Sequence, residues 1–217
     1  MRLGILGGTF DPIHLGHLRL AEEVGEAFNL EKVYLVPAAS PPHKGGKKVS
    51  SFHHRFELAK IAVEGSSLLT AFDLEGRRKG LSYSIETLKE FHRLFPSHLE
   101  LYFILGTDAF LEIETWKDYR DLFDYAHFVV IQRPGTPVGK TEAYLFSLGI
   151  SFRKEGEGRF VGPSGHKVIC IETTLLDISS TEIREKVAAG KSIRYLVPES
   201  VRCYIIDNGL YRTHGVS

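Results

Sequence analysis

Cysteine is almost absent from the sequence. Only Cys170 and Cys203 occur among 217 residues, and neither belongs to a Cys-x-x-Cys pair. Two cysteines are too few for the disulfide framework of a small secreted protein. We therefore expect an intracellular protein whose thiols stay reduced.

The sequence also lacks an excess of charge of either sign and any long apolar run. Lysine plus arginine and aspartate plus glutamate both number 27, and this balance disfavours a basic scaffold for long nucleic acid. No uncharged stretch approaches the ~18 apolar residues of a membrane helix. Residues 3–6 are too short an apolar run for a signal peptide. We expect a cytoplasmic protein that binds neither nucleic acid nor a membrane.

The residues that are present alternate between two periodicities. Hydrophobic residues make up 43% of the chain, which suffices for an ordered core in a single domain over residues 1–217. Apolar runs predict strands buried on both faces at 3–6, 33–36, 99–105, 128–131 and 168–171. Helical spacing predicts helices at 15–28, 51–64, 84–95, 118–125 and 181–189. The alternation predicts an α/β fold with a Rossmann-like, doubly wound, mostly parallel sheet and helices on both faces.

Three further segments complete this description. Residues 37–48 are basic and rich in proline and glycine, so they are a candidate mobile loop over a site. Loop signals cluster at residues 156–165, and residues 151–165 form a candidate hairpin insertion. A helix is predicted to start at Pro198 and to run to Tyr211, which gives a C-terminal helical portion over about 179–211.

An eleven-residue string joins the first predicted strand to the first predicted helix. It reads Gly7-Gly8-Thr9-Phe10-Asp11-Pro12-Ile13-His14-Leu15-Gly16-His17. Doubly wound folds bind phosphates at such positions, and paired glycines let backbone amides come close. His14 and His17 share a face if the helix has begun, and two imidazoles there suit a phosphoryl group that develops charge. Structural histidines or a metal site are the alternatives, although no third ligand stands at metal spacing.

A second string, Ile178-Ser179-Ser180-Thr181-Glu182-Ile183-Arg184, follows the last predicted strand. Ser179 and Glu182 fit a capping box with Ser179 as the N-cap. Ser180 and Thr181 would then face a phosphate at the helix start. Arg184, on the same helical face as Ser180, could pair with phosphate oxygens. A well-capped surface helix is the alternative.

The two strings resemble the GGxFxPxHxGH and ISSTxIR signatures of the nucleotidyltransferase superfamily. That resemblance implies catalytic roles at the triphosphate for His14, His17 and Arg184. It also implies an ATP site, with these members: Gly7, Gly8, Thr9, Phe10, His14, Gly16, His17, Gly106, Asp108, Ile178, Ser179, Ser180, Thr181 and Arg184.

Other segments resemble the bacterial nicotinate mononucleotide adenylyltransferases within that superfamily. Pro42-His43-Lys44 resembles the PHK element, and residues 81–88 resemble SYTxxTL with Ser84 in place of the usual threonine. Gly106-Thr107-Asp108 and Trp116 resemble the GxD and TW elements. Gln132-Arg133-Pro134-Gly135 completes the pattern. The pyridine-nucleotide residues implied are Thr9, Phe10, Lys44, Tyr83, Ser84, Thr87, Asp108, Trp116, Lys117 and Arg133. Trp116 as a core residue and Lys44 as a solvated lysine are the alternatives.

The resemblance implies transfer of AMP from ATP to nicotinate mononucleotide, which yields deamido-NAD and pyrophosphate. It implies Mg²⁺ held mainly by phosphates and water. Alternatives are a branch that accepts nicotinamide mononucleotide or another phosphate, and a non-catalytic nucleotide-binding module. A dinucleotide-dependent dehydrogenase is disfavoured because GxGxxG does not follow the first strand. Nothing in the sequence decides whether the chain forms a homo-oligomer.

Overall fold

An eight-stranded sheet forms the centre of the fold. The computed structural model of the chain describes residues 1–40, 49–78, 80–96, 98–132 and 138–212. The strands are β1 (Arg2–Gly8), β2 (Lys32–Pro37), β3 (Leu69–Ala71), β4 (Glu100–Gly106), β5 (His127–Gln132), β6 (Arg153–Gly156), β7 (Arg159–Val161) and β8 (Lys167–Glu172). The helices are α1 (Leu15–Ala27), α2 (Phe52–Ala62), α3 (Ser84–Leu94), α4 (Thr107–Phe110), α5 (Tyr119–Leu122), α6 (Val138–Ser147), α7 (Ser180–Ala188) and α8 (Glu199–Asp207).

The strand order is β3-β2-β1-β4-β5-β8-β7-β6. The neighbouring strands β3, β2, β1, β4, β5 and β8 pair in parallel. Strand β7 pairs antiparallel with β8, and β6 and β7 form an antiparallel hairpin at the edge. The chain runs outward from β1 to β2 and β3, and then returns to place β4 on the other side of β1. In open parallel sheets such a reversal leaves a crevice at the carboxyl ends of the two strands. The topology therefore places a ligand crevice where β1 and β4 end.

Two hydrophobic clusters cover the two faces of the sheet. Along β4, Leu101, Phe103 and Leu105 belong to one cluster, while Ile104 belongs to the other. Successive side chains of a strand point to opposite faces, and here both faces are buried. This explains why the strand sequences are continuous apolar runs without polar alternation.

The five predicted strands and the α/β class are confirmed. Each run corresponds to β1, β2, β4, β5 or β8 with bounds shifted by at most a residue or two. The predicted helices at 15–28, 51–64, 84–95 and 181–189 correspond to α1, α2, α3 and α7. None of the described helices combines the length and the hydropathy needed to cross a membrane.

The predicted hairpin insertion is present as β6 and β7. Some predicted helix bounds were wrong. The helix predicted over 198–211 ends at Asp207, because Gly209 adopts a positive φ of 60° and Leu210 N–H bonds back to Ile205 O. This is a common way for a glycine to end a helix. The helix predicted over 118–125 is the single turn α5, and β3, α4 and α6 were not predicted.

Candidate active site

A cavity of about 950 Å³ opens at the carboxyl ends of the parallel strands. Its floor is formed by the ends of β1, β2, β4 and β5. The rest of the lining comes from six segments of the chain. They are residues 7–9, 14–17, 82–84, 106–109, 115–117 and 173–180. The cavity therefore occupies the crevice that the reversal of strand order creates.

The first string lies on this cavity, and two of its glycines are required by close approach. A Cβ atom on Gly8 would lie 3.0 Å from the ring of Phe10. A Cβ atom on Gly16 would lie 3.1 Å from His14 Nδ1 and 3.3 Å from the carbonyl oxygen of Leu176. A side chain at either position would require these neighbouring groups to shift by a few tenths of an ångström.

His14 and His17 stack on each other at the start of α1. Their ring centroids are 3.6 Å apart. The backbone N–H of His14 donates to His17 Nδ1 at 3.3 Å. Because Nδ1 accepts this bond, the proton of a neutral His17 ring resides on Nε2. The sequence prediction that the two rings share a face is confirmed.

Both imidazoles are uncharged near neutral pH. Burial lowers the pKa of His14 to about 4. Burial, with a smaller contribution from the charge of His14, lowers the pKa of His17 well below 6.5. Neutral rings next to an anionic ligand act as hydrogen-bond donors, and they pay no penalty for bringing two like charges into contact.

The second string reaches the first string through α7. Ser179 is the N-cap, and its Oγ accepts from the Glu182 N–H at 3.1 Å, as predicted. Ser180 Oγ donates to the carbonyl of Pro12 at 2.8 Å, and Arg184 Nη1 donates to the carbonyl of Asp11 at 2.6 Å. The two strings are therefore joined directly, although the sequence interpretation connected them only through a shared ligand.

The predicted pyridine residues and α7 pack with different hydrophobic clusters, Tyr83 with one and Ile183 with the other. Tyr83, Ser84 and Lys117 line the cavity. Lys117 Nζ lies 4.9 Å from the centroid of the Tyr83 ring and donates to Glu86 Oε1 at 3.0 Å. Tyr83 is the N-cap of α3, and Ser84 is therefore the first helical residue. The Tyr83 side chain makes no capping hydrogen bond.

Trp116 is both a cavity residue and a core residue. It lines the cavity and packs its ring edge against Phe103, with the ring centroids 6.2 Å apart. Gly106 and Asp108, which follow β4, line the same wall. Trp116 therefore combines the predicted position at the site with the alternative position in the core.

Thr87 does not line the cavity. It is buried, accepts from Arg78 Nη2 at 2.6 Å, and donates to Glu75 Oε1 at 2.7 Å. The resemblance implied that Thr87 contacts the substrate directly. Thr87 does not reach the described cavity, so the cavity does not provide this contact. Glu75, whose carboxylate Thr87 holds, lines the cavity in its place.

Three other predicted residues in the described part of the chain, Phe10, Thr181 and Arg184, do not belong to the cavity lining. Phe10 is buried and meets the His17 ring edge-on, with the centroids 5.1 Å apart. Thr181 Oγ1 accepts from Arg184 Nη2 at 3.1 Å, and neither residue belongs to the cavity lining. The predicted residues Lys44 and Arg133, and the loop at 41–48, lie outside the described residues.

Several cavity residues were not predicted. They include Glu75, Lys140 and residues 173–176, and also Gln132, which the family pattern contains but to which no role was assigned. Among the described side chains, buried polar atoms without a hydrogen-bond partner include His14 Nδ1, Glu75 Oε2 and Gln132 Nε2, and all three residues line the cavity. Unsatisfied buried polar atoms are costly, so a ligand that completes their hydrogen bonds is expected here. No periodic pattern in the sequence marks Glu75 as a site residue, because it lies in a short 3₁₀ turn.

The described residues offer no protein cage for a metal. No group of three or more histidine, cysteine, aspartate or glutamate side chains in this part of the chain could hold one. The carboxylates that line the cavity are those of Glu75 and Asp108.

Comparison with known proteins places the chain among nucleotidyltransferases. Residues 5–186 match the model of the family described as cytidylyltransferase-like. A probable nicotinate-nucleotide adenylyltransferase of Geotalea uraniireducens strain Rf4 is 48% identical over 213 residues, which cover 97% of this chain and 98% of the relative. A protein of the same description from Desulfitobacterium hafniense strain DSM 10664 / DCB-2 is 46% identical over 211 residues, with coverage of 97% and 96%.

A solved structure has the same fold. The nicotinic acid mononucleotide adenylyltransferase of Plasmodium falciparum, complexed with NaAD, superposes with a TM-score of 0.73. The two sequences are 22% identical, and the match covers 97% of each chain. At this identity the likeness concerns the arrangement of strands and helices.

Proposed function

The chain belongs to the cytidylyltransferase-like family, and we propose that it is a nicotinate-nucleotide adenylyltransferase. It transfers AMP from ATP to nicotinate mononucleotide and releases pyrophosphate. The observation that carries this proposal is one cavity lined both by the stacked, uncharged pair His14 and His17 and by Tyr83 and Trp116. His17 contacts Phe10 of one hydrophobic cluster, whereas Tyr83 and Trp116 pack against the other. The histidines suit a triphosphate, and Tyr83 and Trp116 suit an aromatic acceptor.

ATP is proposed to bind against the two joined strings. The backbone of residues 7–9 and the imidazoles of His14 and His17 contact the α-phosphate region, and Gly16 leaves room for them. Ile178, Ser179, Ser180 and Thr181 stand at the start of α7, where a helix terminus favours anions. Arg184 has five N–H donors, of which two are used in the described hydrogen bonds. Its remaining donors are proposed to contact the β- and γ-phosphates.

The reaction is an in-line displacement. The acceptor phosphate oxygen attacks the α-phosphorus of ATP, a new P–O bond forms, and the bond from the α-phosphorus to the bridging oxygen breaks. The nucleophile is already an anion, so the protein needs no general base. Catalysis consists of positioning and of hydrogen bonds that strengthen as charge develops. The Nε2–H of His17 is proposed to donate to the α-phosphate in the transition state.

Nicotinate mononucleotide is proposed to bind at the Tyr83 and Trp116 end. The indole face of Trp116 stacks on the pyridine ring, and Asp108 orients a ribose hydroxyl. The unpartnered Oε2 of Glu75 is a further acceptor for a sugar hydroxyl. Ser84 and the backbone amide and ammonium of Lys117 favour a carboxylate on the ring. Roles for Lys44 and Arg133 at this end stay predictions.

Mg²⁺ is proposed to enter with ATP. Two cavity carboxylates and two neutral imidazoles are not the oxygen-rich set that this cation prefers, so phosphate and water oxygens supply most of its ligands. When bound, the ion neutralises charge on the departing pyrophosphate.

Steady-state turnover with ATP and Mg²⁺ tests the proposal, with pyrophosphate release as the readout. We expect nicotinate mononucleotide to be strongly preferred over its amide. Lys117→Gln is expected to lower this preference at least five-fold by removing the cation beside Tyr83. The matched control is Lys154→Gln, because Lys154 forms a comparable exposed ion pair with Glu142 away from the cavity.

Two results would contradict the proposal in different ways. Equal use of acid and amide by the unaltered protein would leave the chemistry intact and remove the carboxylate pocket. Absence of pyrophosphate release with either mononucleotide would exclude this acceptor class and favour another phosphate acceptor or a binding module.

A further inference from the structure

Side chains from distant parts of the chain hold the turn between β1 and α1. We call residues 9–12 the signature turn. Two of its carbonyls accept hydrogen bonds from α7, as described above. A third, that of Thr9, accepts from Nη1 of Arg55 at 2.8 Å. Arg55 is fully buried in α2 and also donates to the carbonyls of Ser50, Ala38 and Ala39.

Asp11 is the charged residue of the signature turn. Its side chain is buried, with a relative exposure of 2%. In the described part of the chain its carboxylate accepts two hydrogen bonds: Oδ2 from the backbone N–H of Ser50 at 3.2 Å, and Oδ1 from the hydroxyl of Tyr211 at 2.7 Å. Asp11 also interacts electrostatically with the buried guanidinium of Arg55. Loss of either hydrogen bond would leave a buried carboxylate oxygen without that donor, which is costly.

Tyr211 is held firmly in this contact. It stands 200 positions after Asp11 and packs against the hydrophobic cluster that covers the α1, α2 and α8 side of the sheet. Its φ of 63° is in the left-handed region, which a bulky residue occupies only where its surroundings enforce it. Burial and the neighbouring Asp11 raise the pKa of the Tyr211 hydroxyl, so this group keeps its proton and donates.

We propose that Tyr211 is a positioning residue for the nucleotide site. Its hydroxyl fixes the carboxylate of Asp11 and thereby the signature turn, which leads directly into His14. The turn ends only two residues before that histidine, so a shift of the carboxylate is transmitted to the stacked imidazoles. Displacements of about 1 Å at a reacting group can cost 10²-fold in rate.

The test compares Tyr211→Phe with Tyr204→Phe. Both changes remove one hydroxyl from the same region of the chain, but the Tyr204 hydroxyl lies 3.0 Å from His54 Nδ1, away from the turn. We expect kcat to fall about 10- to 100-fold in Tyr211→Phe, with a change below about two-fold in the KM for nicotinate mononucleotide. Tyr204→Phe is expected to keep the parent values. A purely structural role would not divide kcat from KM in this way.

Binding gives a readout that does not require turnover. The turnover comparison rests on the proposed function, whereas calorimetric titration with a non-hydrolysable ATP analogue does not. We expect Tyr211→Phe, and not Tyr204→Phe, to weaken binding of this analogue at least about three-fold. If the unaltered protein fails to use nicotinate mononucleotide, the proposed function fails and the titration still decides the inference.

Asp11→Ala, which leaves the Tyr211 hydroxyl without its acceptor, tests the same contact from the turn. It should lower kcat by a similar factor, and the double variant should be no slower than the slower single variant, because both changes break one link. Unchanged kcat and analogue affinity in a folded Tyr211→Phe would overturn the proposal. If Tyr211→Phe does not fold, unchanged kcat in Asp11→Ala would overturn it instead.

Discussion

His14 and His17 owe their neutral state to burial at the end of β1. An exposed histidine would be partly protonated near neutrality, and two charged rings could not stack at 3.6 Å without strong repulsion. The neutral rings are therefore donors already in place when the triphosphate arrives. No proton has to move within the pair before the reaction.

The clearest residue-level prediction concerns His17. His17→Ala is expected to lower kcat by a factor of about 10² to 10³, because it removes one preorganised donor to the developing charge. The measurement is pyrophosphate release under saturating substrates. His53→Ala, at an exposed position of α2, should leave kcat unchanged. Full activity of His17→Ala would refute the proposed contact with the α-phosphate.

Individual site residues differed in how far sequence could predict them. The eleven-residue string was predictable because nearly all of its positions meet the ligand crevice or pack directly beneath it. Thr87 was assigned to the substrate through the family resemblance, which does not show what its side chain meets in this fold. Here it meets Glu75 and Arg78. Glu75 lies in a short 3₁₀ turn over Leu74–Arg77, where no periodicity marks a functional position.

At the level of elements, α7 carries both a cap and a link. Ser179 satisfies an N–H at the helix start, and the next turn supplies Ser180 and Arg184 to the signature turn. A loosened first turn of α7 would therefore disturb the histidines as well as the helix itself.

Substitution of Ser179 measures how much the cap contributes to stability. Ser179→Ala is expected to lower the free energy of unfolding by about 1 kcal/mol, because the Glu182 N–H loses its acceptor. Ser179→Gly should cost only a few tenths of that amount, since glycine is a tolerated N-cap. Urea unfolding of the two variants measures the difference. Equal stability of Ser179→Ala and the unaltered protein would show that the cap contributes nothing.

Elements were predictable where both faces are buried and were missed where they are not. β1, β2, β4, β5 and β8 lie inside the parallel sheet, so packing on both sides demands apolar side chains throughout. β3 is an edge strand of three residues in which only Leu69 is buried, so it leaves no comparable run. The end of α8 was misjudged because apolar spacing continues past Asp207, whereas the backbone reverses at Gly209.

For the whole molecule, buried neutral histidines make stability depend on pH. His127 at the start of β5 accepts the N–H of Lys167 at 3.0 Å. Its pKa is lowered to about 4, chiefly by burial and next by the charge of His166. The unfolded chain takes up a proton near pH 6.5, whereas the folded protein does so only near pH 4. Stability is therefore lost as pH falls between these values.

Replacement of His127 measures this loss of stability at low pH. By pH 5 the unaltered protein should have lost about 2 kcal/mol through His127 relative to pH 7.5. His127→Gln, which keeps a side-chain acceptor, should lose correspondingly less over the same interval. Denaturant unfolding at both pH values gives the comparison, with His53→Gln as the control. A parallel pH dependence in all three proteins would exclude His127 as the source.

The α/β architecture and the position of the crevice followed from the alternation of strands and helices alone. The links between distant segments did not, because hydrogen bonds such as that from Tyr211 to Asp11 join residues whose separation no local pattern encodes. The organisation of residues 1–217 as one domain stays a prediction.

The hydrogen bonds to the signature turn also bear on how the protein is made. A ribosome adds residues 9–12 long before it adds Ser180, Arg184 and Tyr211. A nascent chain thus carries both histidines without the groups that hold them in place. We expect catalytic competence to appear only once residue 211 has emerged from the exit tunnel. Translation products that stop before residue 211 would then turn over ATP at least about 10-fold more slowly, even when they contain the signature string.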